Sequence, residues 1–134
     1  MKAEITFTVK HGLTKENILD ILTTAFEGGI DYWGYIDYDD PDWVEAHQQW
    51  KKEHNGEACI CDVAYQTMQN GKAVKIIHGK HVHKLTMEAF INGCKLFSEK
   101  NRVDIHQFME ESTLDAEHAD CIIQYALYSD IKWG

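Results

Sequence analysis

Apolar and polar positions along the chain switch between two periods, and the switches predict its elements. Residues 2–9 alternate, with Ile5, Phe7 and Val9 on one side, which is the pattern of a half-buried strand. From residue 14 the spacing lengthens: Ile18, Ile21, Leu22, Ala25 and Phe26 make a helical stripe over 15–27. Thr14 is its N-cap, with Leu13 and Ile18 as a hydrophobic staple. Gly28-Gly29 closes it, with a left-handed glycine at the cap. Residues 30–38 alternate again and predict a strand, in which Gly34 admits another backbone, a ring or a ligand. Asp40-Pro41 opens a helix, Asp as cap and Pro in the first turn. That helix places Trp43, Ala46, His47 and Trp50 on one face and ends at Asn55-Gly56.

Residues 57–61 are a short apolar segment of no definite type. Asp62 caps a brief helix through Met68, closed by Asn70-Gly71. The clearest β signal is KAVKIIHGKHVHKLT, with strands at 73–78 and 81–85 joined by Gly79-Lys80. Thr86 caps the next helix, Leu85 staples to Phe90, and the stripe is Phe90, Ile91, Cys94 and Phe97. Residues 104–110 form a further helical turn or two. Asp115 caps the last helix, with Ala119, Ile122, Ile123, Ala126 and Leu127 as its core face. Residues 131–134 are β-like and suit a return to the sheet edge. The sum is an α/β chain of the α+β kind. It is a single compact domain over 1–134, with a small mixed or antiparallel sheet of four to five strands and about four helices.

Charge narrows the partners. The formal charge is −9, so nucleic-acid phosphates are repelled and direct nucleic-acid binding is not expected. The acids are unevenly placed: residues 16–50 hold nine and residues 103–131 hold seven, with no Lys or Arg in either stretch. Residues 72–84 are the reverse, with Lys72, Lys75, Lys80 and Lys84 and no acid. The alternating N-terminus is not a signal peptide, and no apolar run approaches the ~18 residues that cross a bilayer. No membrane partner and a cytoplasmic location are therefore expected. Cys59, Cys61, Cys94 and Cys121 are expected to be reduced thiols there.

Two stretches carry candidate chemistry. The first is EGGIDYWGYIDYDDPDWVEAHQQW, residues 27–50, which holds three of the four tryptophans. Its candidate partner-binding residues are Tyr32, Trp33, Tyr35, Asp37, Asp39, Asp40, Asp42 and Trp43. Rings beside carboxylates can anchor an interface, and the plainer alternative is that Trp33 and Trp43 fill the core. The second is the hairpin, where Lys75, His78, Lys80, His81, His83 and Lys84 form an alternative ligand site. His81 and His83 share a strand face, and Cys59-x-Cys61 has the same spacing. Together these could ligate zinc, but the spacing is not that of a zinc finger or knuckle, so no metal or other cofactor is expected. No phosphate-cradling glycine motif or nucleophile signature stands out, and although the paired carboxylates Asp39-Asp40 could act as acid and base or bind Mg²⁺, Asp40 is more simply a helix cap, which favours a non-catalytic protein.

Three segments together resemble a family of small uncharacterised bacteriophage and prophage proteins. They are Glu27-Gly28-Gly29 with Tyr32-Trp33, the GKxVKII-type hairpin, and Ala119 through Trp133-Gly134. Its members combine an EGG(I)xYW segment with a closing ADxxxQxALxGxxxxG segment. Ser129 stands here where that segment usually has glycine. The resemblance implies a phage setting, hence the cytoplasm of an infected host cell, and carries over no catalytic residue.

Three functions are consistent with this. The favoured one is a phage accessory protein that stoichiometrically antagonises a host factor. Its acidic faces would dock on a basic surface such as the nucleic-acid groove of a defence nuclease, in the manner of anti-CRISPR proteins. The second is a sponge for a nucleotide signal, with rings stacking the base and the Lys/His hairpin holding phosphate. That reading requires the hairpin and Tyr32-Trp33 to line one concavity. The third is an enzyme with an unrecognised site. A homodimer is a further candidate assembly.

Overall fold

A computed structural model of the chain describes residues 13–111 and 114–134. The predicted strand at 2–9 lies outside them. Helix α1, Lys15–Thr24, starts where the sequence indicates: Thr14 Oγ1 accepts from Asn17 N at 3.1 Å, and Asn17 Oδ1 accepts from Thr14 N. Leu13 and Ile18 are both buried.

The end of α1 differs from expectation. The chain widens into a π-helical turn, Ala25–Gly29, and neither Gly28 nor Gly29 is left-handed. Gly28 is extended, with φ 179°. Gly29 is glycine for space: a Cβ there would lie 2.8 Å from Ala116 O.

The expected strand at 30–38 shrinks to β1, Tyr35–Ile36. The reason is burial. Ile30, Trp33 and Ile36 carry the buried side chains, three apart, so a turn at 30–33 serves them better than alternation. Gly34 is used as expected, letting β2 approach, since a Cβ would lie 3.2 Å from Ile76 Cγ2 and 3.3 Å from Ile77 O.

Helix α2, Pro41–Glu53, is capped by Asp40, and α3, Ile60–Gln69, runs on to Asn70. Its cap is Cys59 rather than Asp62. Asp62 sits at the third helical position and accepts from Cys59 N at 3.1 Å. Strands β2, Val74–His78, and β3, His81–Leu85, form the expected hairpin, with Gly79 at φ 58° in the turn. Helices α4, Met87–Asn101, α5, Ile105–Glu110, and α6, Ala116–Tyr128, complete the chain, capped by Thr86, Asp104 and Asp115.

Among the described residues there are thus six α-helices, more than the four expected, and one antiparallel three-stranded sheet, not four to five strands. Its order is β1-β2-β3. Residues 131–134 are not a strand at its edge.

The register divides the hairpin into two faces. Val74, Ile76 and His78 oppose Leu85, His83 and His81 on one face; Lys75 and Ile77 oppose Lys84 and Val82 on the other. The first face is buried at Val74, Ile76 and Leu85, with Ile36 of β1 beside Ile76. Helices α4 and α6 make the most extensive helix contact, and α6 also meets α1, the π turn and β3. They touch closely at Gly93, where a Cβ would lie 2.5 Å from Ile122 O. No described helix is long and apolar enough to cross a membrane.

Candidate functional site

The turn at 30–33 and α6 together build a densely connected polar centre among the described residues. Asp120 and Gln124 are four apart on α6, so they share a face. That face is otherwise apolar, and both are buried, Asp120 at 5% and Gln124 at 0% exposure. Three neutral donors converge on the carboxylate. Tyr32 OH donates to Oδ2 at 2.5 Å, Trp33 Nε1 to Oδ1 at 2.7 Å, and Gln124 Nε2 to Oδ1 at 2.9 Å. Gln124 reaches the other way as well. Its Oε1 accepts from Lys132 N at 2.8 Å and Trp133 N at 2.9 Å, and its Nε2 donates to Trp133 O at 3.2 Å. One side chain thereby satisfies the backbone of residues 132–133 and holds them against α6 in place of a strand edge.

Aromatic packing continues the centre towards the sheet. Trp133 stacks near Trp33 with centroids 6.5 Å apart, and His78 lies 4.5 Å from Trp133. Tyr128 packs beside Trp33 at 6.1 Å and its hydroxyl is 3.0 Å from His83 Nε2. Trp133 Nε1 is buried without a hydrogen bond among the described residues, so its ring is held by stacking and by the backbone grip of Gln124.

Electrostatics follow from these contacts. Desolvation, then the hydrogen bond and charge of Asp120, push the Tyr32 phenol up to about 12. Its hydroxyl end is tied to a buried carboxylate even though the residue as a whole is 58% exposed. Partial burial pushes His83 down, helped by the nearby charges of His78, His81 and Lys132.

Beside Asp120 lies an open cleft of about 390 Å³, lined in part by Tyr32, Glu117, Cys121, Ile131 and Trp133.

The predicted partner-binding residues separate into three environments. Trp33 and Trp43 are core residues, 6% and 5% exposed, so neither ring is offered to solvent as an anchor. Asp40 and Asp42 are held by Lys75, whose Nζ lies 3.1 Å from Asp40 and 2.9 Å from Asp42. The hydrogen bond from Lys75 holds the Asp42 carboxyl below its ordinary range. Tyr32, Tyr35 and Tyr38 remain exposed, with Asp39 exposed and Asp37 half-buried. Among the described residues no Lys or Arg bridges Asp31, Asp37, Asp39 or Glu45.

The alternative ligand site is likewise divided. His78, His81 and His83 share the inner face with the aromatic cluster, whereas Lys75 and Lys84 lie on the opposite face and Lys80 is in the turn. Among the described residues lining the Asp120 cleft there is no Lys or His. None of the described clefts is lined by both the hairpin residues and Tyr32 or Trp33.

Cys59 and Cys61 fall at the start of α3, not on a strand, so their shared-face geometry does not arise. No group of three or more His, Cys, Asp or Glu is placed to hold a metal among the described residues.

Sequence reasoning did not single out Asp120, Gln124 or Tyr128 as a centre. The available signal was two polar residues four apart inside an apolar helical stripe. Both lie in α6, which the structure brings against Gly29, Tyr32 and Trp33. No family model, curated protein or solved structure matches the chain.

Proposed function

We propose that the protein is a non-catalytic phage accessory protein, working in the cytoplasm of an infected host cell, that binds and antagonises a host factor through its acidic, tyrosine-bearing segment. The observation that supports this is the exposure of Tyr32, Tyr35 and Tyr38, at 58%, 60% and 49%, beside acids that no described Lys or Arg bridges. Tyrosine offers large contact area with a polar tip and is enriched at interfaces. Unbridged acids contribute a field that attracts and orients a basic surface, such as the groove of a defence nuclease. The buried tryptophans and the Asp120 centre hold this segment in shape from beneath.

The test begins with a partner captured from host lysate and identified by mass spectrometry, and continues with association rates measured for that partner. Reversing Asp37 and Asp39 to Lys should slow association and flatten its salt dependence, with an unchanged melt. Tyr35→Ala and Tyr38→Ala should instead speed dissociation. Rates and salt slopes that ignore all four changes would remove this segment from the interface.

A further inference from the structure

The cleft beside Asp120 has a chemistry the docking surface alone does not explain. Its described lining includes two carboxylates, Glu117 and Asp120, and no Lys, Arg or His. Asp120 is 5% exposed, yet every donor it meets among the described residues is neutral: a phenol, an indole and an amide. A buried carboxylate without a cation is unusual, because burial of charge is offset best by an opposite charge. An ionised carboxylate has about four lone-pair sites, and three donors leave room for one more. Tyr32 and Trp133 add aromatic surface, while Gly29, Ala116 and Gly134 contribute little side-chain bulk and leave the cleft open. Burial first, and then the charges of Asp120, Glu117 and Asp115, push the Cys121 thiol up.

We propose that this cleft receives a guanidinium group, presented as an arginine side chain by the basic partner. Guanidinium fits better than ammonium because it is planar, stacks on aromatic faces, pairs with carboxylates through a fork of donors and is weakly hydrated. Glu117 at the exposed start of α6 takes the fork, and Asp120 supplies the fixed charge behind it. The owner of the arginine rests on the docking function proposed above; the affinity of the cleft for guanidinium does not.

The test uses the full chain and three small probes: the N-acetyl amides of arginine, of citrulline as its neutral isostere, and of lysine. Binding is followed by NMR at the Trp133 indole N–H, assigned with Trp133→Phe. The arginine probe should give a saturable shift with Kd of about 1 mM or weaker, as expected for so small a ligand. Citrulline amide should give none, lysine amide should bind several-fold more weakly, and Glu117→Gln should weaken arginine binding several-fold with an unchanged melt. No saturable shift with arginine amide, an equal response to citrulline or lysine, or indifference to Glu117→Gln would each overturn the assignment. Those results would leave the docking function standing if partner association still responded to Asp37 and Asp39. Conversely, a cleft that binds arginine amide in a protein whose partner ignores those acids would sink the docking function alone.

Discussion

Asp120→Ala is the sharpest test of the polar centre. It removes the acceptor of three hydrogen bonds, and the three donors differ in what they can do next. Tyr32 is largely exposed and can turn to water, and Gln124 keeps Trp133 O, so together they forfeit roughly 1 kcal/mol. Trp33 is 6% exposed and has no other acceptor among the described residues, so its indole N–H is left buried and unpaired at a cost of about 1–3 kcal/mol. The expected loss is about 3 kcal/mol, or roughly 10 °C in Tm for a chain of this size. Asp120→Asn is the control. Its carbonyl oxygen can still serve Trp33 and Gln124, and its NH₂ can donate to Tyr32 OH, so about 1 kcal/mol is expected. Urea melts of both variants, with near-UV circular dichroism to follow the indoles, give the comparison. An Asp120→Ala protein within about 0.5 kcal/mol of the parent would refute the centre, and equal losses for Ala and Asn would show that charge, not acceptor geometry, matters.

Gly93→Ala should destabilise by about 1–3 kcal/mol in denaturant, because its Cβ would meet Ile122 O and Ala126 at the α4–α6 crossing; a neutral result would mean the helices separate freely. Ser129→Gly should raise stability by up to about 1 kcal/mol, since Ser129 sits at φ 59° in the left-handed region, and a lower Tm would argue against that conformation. Phe90→Ala and Ile123→Ala, both fully buried, should each cost about 2–5 kcal/mol in melts. Tyr32 predicts an alkaline effect. Its raised folded pKa means its contribution is complete below the unfolded value of 10.0 and is lost as pH rises through about 12. The stability difference between the parent and Tyr32→Phe should therefore shrink across that window, and a difference constant with pH would contradict the Tyr32–Asp120 bond.

What could be read from the sequence was local. Thr14, Asp40-Pro41, Thr86 and Asp115 announce helix starts because a cap involves residues within one turn, and Gly79-Lys80 announces its hairpin for the same reason. What could not be read depended on distant partners. Trp33 looks the same in sequence whether it anchors an interface or accepts burial beside Asp120, 87 residues away. The alternation at 30–38 misled because Ile30, Trp33 and Ile36, three apart, are the side chains that enter the core, and only Tyr35–Ile36 pairs as strand. The lysines and histidines of the hairpin interleave in sequence, and only the register with β3 shows that they face apart. Gln124, polar in an apolar stripe, was visible but not interpretable until residues 132–133 were seen to need its oxygen.

The span of the Asp120 bonds has a consequence for time as well as for stability. Its links to Tyr32 and Trp33 close loops of 88 and 87 residues, whereas the hairpin and the helix caps close within a few. Long loops are closed late, after local elements have formed, so the centre is expected to be largely absent from the folding transition state. Weakening it should leave the refolding rate nearly unchanged and accelerate unfolding, moving only the unfolding arm of a chevron plot. Tyr32, Trp33 and Asp120 would then act as a latch whose strength sets how long the native chain survives, more than how quickly it forms.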